Sequence, residues 1–267
     1  MPTATDRRSD PRRRAIRAAA PVVVALLGLA VWEGVVRWRD VPPFVVPAPS
    51  AVWACLVDQW SVLAPAWLVT LRTMAIAITA AVLGGVSLAV LFSLSPALEL
   101  SLFPYAVVLQ VTPLVAVAPL LMVWVEDTRL VLVLCATIVA FFPILAGTAV
   151  GLRSVDPGLR DLFDLYGASR WRRLRLLLAP TALPYFLAGL RTAVNLALIG
   201  AVVGEFVTGA AGAQSGLAAA VFEGQYRLDT PLMFAALGLI SLTGVACYFA
   251  THLLSQWLLS PWHESTL

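Results

Sequence analysis

Long apolar segments alternate with short polar ones along this chain. A segment of about 20 apolar residues is needed to cross the hydrocarbon core of a bilayer. The pattern predicts six such spans, at about residues 16–37, 67–94, 103–125, 129–151, 184–208 and 231–259. We therefore predict an all-α polytopic membrane protein, with a disordered basic tail over residues 1–15 and a transmembrane domain over residues 16–267.

The third predicted span contains Pro104, Pro113 and Pro119. Each proline removes a backbone donor and frees a carbonyl within the membrane, so we expect this helix to bend and to border a polar space. Gln110 and Thr112 lie beside the expected bend and are candidate residues of a translocation pathway. The alternative is that they only satisfy the freed backbone groups.

The longest polar interruption, residues 152–183, contains the pattern of a capped amphipathic helix. Asp156 before Pro157 is typical of a helix start, and Gly167 is the residue type that ends a helix in the left-handed conformation. Helical spacing predicts one apolar stripe, formed by Leu159, Leu162, Phe163 and Tyr166. A short helix of this kind, from Pro157 to Tyr166, is suited to dock into a groove of another protein.

Four arginines follow Ser169, a candidate N-cap of the next helix: Arg170, Arg172, Arg173 and Arg175. They place positive charge at the positive end of the helix dipole, which is unfavourable. Two partners can compensate for this charge, namely phosphates of the inner leaflet or acidic groups on a cytoplasmic protein. The remaining alternative is that the charge only sets the membrane topology.

Polar residues also occur in the fifth predicted span. An amide or charged group at membrane depth is costly unless it faces protein or water. Asn195 and Glu205 are therefore further pathway candidates, although Arg191 can extend to the cytoplasmic interface and Glu205 can form a salt bridge within the bundle. Gly200 and Gly204 predict close helix packing, with the seam of a homodimer as one location.

Composition supports the membrane assignment, since 60% of the residues are hydrophobic and 12% are charged. Soluble proteins have about a quarter charged residues.

Arginines cluster in the tail and between Arg153 and Arg175, which predicts that both segments and the C-terminus lie in the cytoplasm. The sequence contains no lysine. A Walker A loop requires one, so ATP-driven work requires a partner and this chain is not expected to be catalytic.

The scattered cysteines and histidines argue against a disulfide-stabilised protein and against a metalloprotein. Cys55, Cys135, Cys247, His252 and His263 have no metal-ligand spacing, so neither a disulfide framework nor a metal or cofactor site is expected in this chain. A membrane-embedded enzyme would need converging acids or histidines. The alternative to an ATP-driven transporter is a secondary transporter or channel that does not use ATP. Many secondary transporters contain inverted repeats, and the sequence shows no clear one. No nucleic-acid partner is expected.

The segment DLFDLYGASRWRRLRLLLAP resembles the cytoplasmic loop of type I ABC-importer permeases, whose pattern is E-A-A, three residues, Gly, nine residues, then I-x-L-P. Gly167 falls on the glycine and Pro180 on the proline, while Asp161, Leu162 and Phe163 fall on E-A-A. The phrase GASRWRRLRLLLAPTALPYFLAGLR and the six spans resemble the permeases of the sulfonate, taurine, nitrate and pyrimidine-precursor group in particular.

The resemblance implies a permease subunit in a bacterial inner membrane, with both termini cytoplasmic, that imports a small polar or anionic solute by alternating access. Its implied partners are a second permease copy in a homodimer, cytoplasmic ATPases that hold ATP and Mg, an extracytoplasmic substrate-binding protein and membrane lipids. The helix from Pro157 to Tyr166 is implied to be the coupling helix. Contacts to the ATPase are expected from Pro157, Leu159, Asp161, Leu162, Phe163, Asp164, Tyr166, Gly167, Arg170 and Pro180.

Overall fold

The computed structural model describes residues 11–209 and 215–260, and within these ranges it contains helices and no strands. The helices are α1 Pro11–Trp38, α2 Pro49–Asp58, α3 Trp60–Leu94, α4 Pro96–Val111, α5 Leu114–Trp124, α6 Thr128–Arg153, α7 Pro157–Leu165, α8 Arg170–Arg173, α9 Ala179–Thr208, α10 Leu217–Arg227 and α11 Thr230–Leu259. The predicted all-α class is confirmed. Helix α1 begins at Pro11, inside the tail predicted to be disordered, in a stretch of arginine and alanine that favours helix. Residues 1–10 of that tail lie outside the described residues.

Five helical segments of the described chain are long and apolar enough to cross a membrane, and α4 with α5 makes a sixth when the bent pair is counted as one span. The bend in this pair is 102° and lies at Thr112 and Pro113. The expected interruption of the third span is thus confirmed, and it is sharp enough to divide the span into two helices.

The helix of the fifth span begins earlier than the apolar pattern indicates. A π-helical turn at Leu174–Leu178 joins α8 to α9, so that one helix of 39 residues runs over Arg170–Thr208. At about 1.5 Å per residue this helix is about 58 Å long, nearly twice the thickness of a hydrocarbon core. Its arginine-rich first turns therefore extend beyond the membrane-spanning part.

Helices α6 and α9 pack in backbone contact. A Cβ added at Gly147, Gly151 or Gly200 would lie 2.7–2.8 Å from backbone atoms of the opposing helix. Only glycine at these levels permits this approach. The packing role predicted for Gly200 and Gly204 is confirmed, but both glycines face α6 of the same chain, so the suggested location at a homodimer seam is wrong.

The centre of the bundle is formed where α3 also packs on α6. At Gly85 an added Cβ would lie 2.9 Å from the side chain of Ile144. Small residues continue this contact in the buried cluster Ala81, Ala140, Ile144, Ala193 and Ala197. Helix α1 lies outside this centre, and its Trp32 ring contacts the Phe234 ring of α11 at 5.6 Å.

The two ends of the bundle carry different elements. Helix α9 continues from α8 through the π-helical turn, and α7 is joined to α8 by the ion pair of Asp164 with Arg173. At its other end α9 stops at Thr208 beside α10, and α11 then runs back antiparallel to α9. The antiparallel course follows from two contacts, in which Gly244 of α11 meets Leu198 of α9 and His252 meets Arg191. We refer to the two ends as the α7 end and the α10 end.

Candidate coupling surface and candidate pathway residues

The N-terminus of α7 is capped by Asp156. Its carboxylate accepts hydrogen bonds from the backbone N–H groups of Gly158 at 2.8 Å and Leu159 at 3.2 Å. Pro157 occupies the first helical position, where no donor is needed. The predicted helix start is therefore confirmed, and it depends on residues that are adjacent in sequence.

The C-terminus of α7 is closed by Gly167, whose φ is +60°. The N–H of Gly167 donates to the carbonyl of Asp164, and the N–H of Ala168 donates to the carbonyl of Phe163, each at 3.0 Å. These two bonds form a Schellman motif, which requires the left-handed conformation at the glycine. The helix ends at Leu165, one residue before the predicted end.

The predicted apolar stripe of α7 is exposed. Leu159 and Leu162 are 47% and 45% exposed and Tyr166 is 80% exposed, while Phe163 is half-buried. No residue of α7 is buried within the described chain. Asp161 and Pro157 are also exposed. The exposed α7 residues Pro157, Leu159, Asp161 and Leu162, together with Tyr166, are here called the coupling surface.

Arg160 attaches α7 to the end of α6. Its guanidinium donates to the carbonyl oxygens of Leu152 at 3.4 Å and Arg153 at 3.2 Å. These carbonyls belong to the last turn of α6, where acceptors lack helical partners and the helix dipole is negative. The sequence analysis did not predict this contact.

Asp164 forms an ion pair with Arg173 of α8. The positive charge of this segment is thus partly compensated within the chain, by a partner that the sequence analysis did not consider. Ser169 is confirmed as the cap of α8, since its hydroxyl accepts from the N–H of Arg172 at 3.4 Å. Arg170 is exposed at the start of this helix.

Further contacts complete the surroundings of α7. Arg153 forms an ion pair with Glu99, which ties the end of α6 to α4. Helix α7 is therefore linked to α6 through Arg160 and to α8 through Asp164, and α6 is in turn linked to α4. Pro180 lies half-buried in the first turn of α9 and is not part of the exposed stripe.

The pathway candidates of the third span lie at the break between α4 and α5. Gln110 is exposed near the end of α4. The hydroxyl of Thr112 donates to the carbonyl of Val108 at 2.7 Å, as expected for a residue that satisfies backbone groups at a break. Asn195 is half-buried on α9, and no hydrogen bond joins it to Gln110 or Thr112 in the described chain.

Glu205 is fully buried at the α10 end of α9. One carboxylate oxygen accepts from the hydroxyl of Thr70 at 2.8 Å and the other accepts from the N–H of Ala218 at 2.9 Å. The hydroxyl of Thr70 in turn accepts from the N–H of Leu217 at 3.0 Å. Glu205 therefore caps the start of α10, and its partners are neutral donors rather than a salt bridge.

Sequence reasoning did not find Thr70. Its only sequence signal is a hydroxyl residue within a long apolar span, which is common in membrane helices because threonine can bond its own helix. Gly216 was also missed, although a Cβ at this position would overlap the Glu205 carboxylate. The two residues join α3, α9 and α10 at one buried point.

The chain is similar in sequence to membrane components of transport systems. A sequence model of the family described as "Binding-protein-dependent transport system inner membrane component" matches residues 80–259. A riboflavin transport system permease protein, RibX of Chloroflexus aurantiacus, is 35% identical over 97% of each chain. A formylaminopyrimidine transport permease protein, ThiX of Halalkalibacterium halodurans, is 30% identical over 94% of this chain and 99% of that protein.

Matches of lower sequence identity are also transport proteins. The taurine transport system permease protein TauC of Escherichia coli is 27% identical over 88% of this chain and 86% of that protein. A crystal structure of an amino acid ABC transporter with histidines superimposes with a TM-score of 0.61 at 20% identity, over 76% of this chain and 97% of that chain. At this identity the structural match supports the fold alone.

Proposed function

The chain belongs to the permeases of type I ABC importers, the inner membrane components of binding-protein-dependent transport systems, and we propose that a partner ATPase drives it to import a small polar or anionic solute. In this proposal the protein lies in a bacterial inner membrane with both termini in the cytoplasm. It pairs with a second permease copy, and an extracytoplasmic binding protein delivers the solute.

The observation that carries the proposal is the coupling surface. Its apolar side chains are exposed although α7 is capped at both ends and tied to α6 and α8. A rigidly held apolar helix face outside the bilayer favours insertion into a groove of another protein. Movement of that protein would then be transmitted through Arg160 to α6, which packs against α9 at the centre of the bundle.

ATP hydrolysis is assigned to the partner. The chain contains no lysine, and a Walker A loop needs one to reach the phosphates. ATP and Mg are accordingly placed on the ATPase subunits, with this chain in a non-catalytic role.

The solute class is proposed from the pattern of relatives. Their names specify riboflavin, formylaminopyrimidine and taurine, which are small and polar but chemically different. We propose a solute of this size range, with sulfonate, taurine, nitrate and thiamine-pyrimidine precursors as the first candidates. Uptake of each compound, with riboflavin added to the panel, into proteoliposomes that contain the complete transporter would identify it.

The coupling proposal is tested with Leu162→Glu in these proteoliposomes. A charge at this position must be buried in the groove, so uptake should fall to about a tenth or less of the wild-type rate. Leu165→Glu is the matched control. Leu165 is 83% exposed and lies about 110° around the helix from the centre of the stripe, so its substitution should leave uptake nearly unchanged.

Two results would contradict the proposal. Uptake that continues when the ATPase is inactivated would indicate a secondary transporter or a channel. Equal loss of uptake in Leu162→Glu and Leu165→Glu, with both proteins folded, would show that the apolar stripe is not the docking face.

A further inference from the structure

A cavity lies between α9 and α11 towards the α7 end, and Arg191 of α9 lines it. The lining residues are Arg191, His252, Ser255, Gln256, Leu259 and Ser260. Five of the six are polar, although the surrounding helices are strongly apolar. Neither the coupling surface nor the pathway candidates use this cavity.

Neutral groups hold the Arg191 guanidinium in place. It lies 3.1 Å from Nδ1 of His252 and 5.6 Å from the centre of the Tyr248 ring. Because a guanidinium can only donate, Nδ1 must accept and the His252 proton resides on Nε2. The structure places Nε2 of Gln256 3.1 Å from Nε2 of His252. Because both nitrogens would then be donors, we assign the amide in the flipped orientation, with its oxygen towards His252 and its NH2 group left to donate elsewhere.

Arg191 has no counter-charge among the described residues around it. Helices α3, α6 and α11 contain no aspartate or glutamate, and α9 contains only Glu205. Glu205 lies 14 positions away, about 21 Å along the helix, and its oxygens already accept from Thr70 and Ala218. The Nε of Arg191 is buried without a hydrogen-bond partner. A partly buried guanidinium with an unbonded N–H is stabilised by pairing with an anion, which makes Arg191 a candidate anion site.

The cavity extends to the level expected for lipid headgroups. His252 lies five residues, or about 8 Å, before Trp257, which is 72% exposed in the manner of an interfacial tryptophan. Ser260, at the end of α11, lines the outer part of the cavity and is exposed. An anion can therefore reach Arg191 from the membrane surface at the α7 end.

We propose that this cavity binds a phosphate group, from an anionic phospholipid headgroup or from free phosphate. The phosphate oxygens pair with the Arg191 guanidinium and accept from the NH2 group of Gln256. The hydroxyls of Ser255 and Ser260 already donate to helix carbonyls, so the arginine and the amide are the donors that hold the ligand. Basic pockets between membrane helices on the cytoplasmic side suit such headgroups.

Native mass spectrometry of the delipidated full chain tests the proposal, with phosphatidylglycerol, inorganic phosphate and dioleoylglycerol as separate probes. We expect one tight phosphatidylglycerol or phosphate site, roughly tenfold weaker in Arg191→Gln because one charge-assisted pairing is lost. Arg72→Gln is the matched control, since Arg72 is exposed within another span and forms no ion pair in the described chain. Arg191→Lys, which keeps the charge, should retain most of the binding.

A second variant keeps the test decisive if Arg191→Gln does not fold. Gln256→Glu is isosteric and exposed, and it replaces the NH2 donor by a carboxylate in the cavity that Arg191 also lines, so it should repel the phosphate. Gln110→Glu is the matched control on α4 and should bind as the wild type does. Binding of phosphatidylglycerol without inorganic phosphate identifies the lipid as the source, whereas binding of inorganic phosphate identifies a soluble anion.

Several results would overturn the proposal. The first is equal binding by the wild type, Arg191→Gln and Gln256→Glu. A second is dioleoylglycerol binding as tight as that of phosphatidylglycerol, because this lipid lacks the phosphate. A third is the absence of both phosphatidylglycerol and inorganic phosphate binding by the folded wild type.

Discussion

The hydroxyl of Thr70 on α3 donates a 2.8 Å hydrogen bond to the carboxylate of Glu205 on α9, although 135 positions separate them. Both side chains are fully buried, and both also accept from the first N–H groups of α10. Three helices therefore meet at one polar point within an apolar bundle. Buried polar networks are costly to disrupt because each group left unpaired keeps its full desolvation penalty.

We predict that Thr70→Val destabilises the protein by about 1.5–3 kcal/mol, because the isosteric change leaves one oxygen of the Glu205 carboxylate and the Leu217 N–H without a partner, while the other oxygen keeps its bond from Ala218. The apparent unfolding midpoint in detergent should fall by about 4–10 °C. Thr79→Val is the matched control, since Thr79 is exposed on the same helix and bonds only the carbonyl of Ala75. A midpoint in Thr70→Val equal to that of the control would contradict the prediction.

Gly216→Ala should also destabilise the protein. Its φ of −90° suits alanine, so any effect comes from overlap of the added Cβ with the Glu205 carboxylate. Displacing this carboxylate weakens the cap of α10, and overpacking costs about 1–3 kcal/mol. Gly238→Ala, where nothing lies within 4 Å, should instead be neutral or stabilising. Thermal unfolding of the two variants side by side checks the prediction, and equal midpoints would refute it.

Local features of this structure could be predicted from sequence, whereas contacts between distant residues could not. Asp156 and Gly167 cap α7 through bonds to residues within a few positions, so their types at their spacing were sufficient. Arg160 and the pair of Asp164 with Arg173 were missed because their partners are set by how α6, α7 and α8 meet.

In the membrane helices, too, local features could be predicted from the sequence and contacts between distant residues could not. Apolar length predicted the spans, and the prolines predicted the break between α4 and α5, but the 102° angle depends on packing. Glu205 was recognised as unusual at its depth, yet its partner Thr70 has no distinctive pattern. Gly200 indicated close packing without indicating whether its neighbour was α6 or a second copy.

Gly167→Val should uncouple ATP hydrolysis from transport in the reconstituted transporter. The glycine has φ +60° and an added Cβ would meet nothing within 4 Å, so the effect is one of backbone conformation alone. A β-branched residue disfavours this conformation, which asparagine tolerates. Gly167→Asn should therefore keep most of the coupling. Solute imported per ATP hydrolysed is the measurement, and a wild-type ratio in Gly167→Val would refute the prediction.

Arg160→Gln should loosen α7 more than Asp164→Asn does. Arg160 holds the carbonyls that end α6 and has a buried Nε, so its loss should cost about 1.5–3 kcal/mol of local stability. The pair of Asp164 with Arg173 is one-third to one-half exposed, and such pairs contribute about 0.2–1 kcal/mol.

Hydrogen exchange of residues 157–165, measured on the full chain in nanodiscs, distinguishes these two contributions. Exchange should accelerate by roughly tenfold or more in Arg160→Gln and by at most about fivefold in Asp164→Asn. Asp161→Asn is the control, because Asp161 is exposed and forms no ion pair in the described chain. Unchanged protection in Arg160→Gln would show that the caps at Asp156 and Gly167 alone hold α7. The movement of a partner could then not pass to α6 through this arginine.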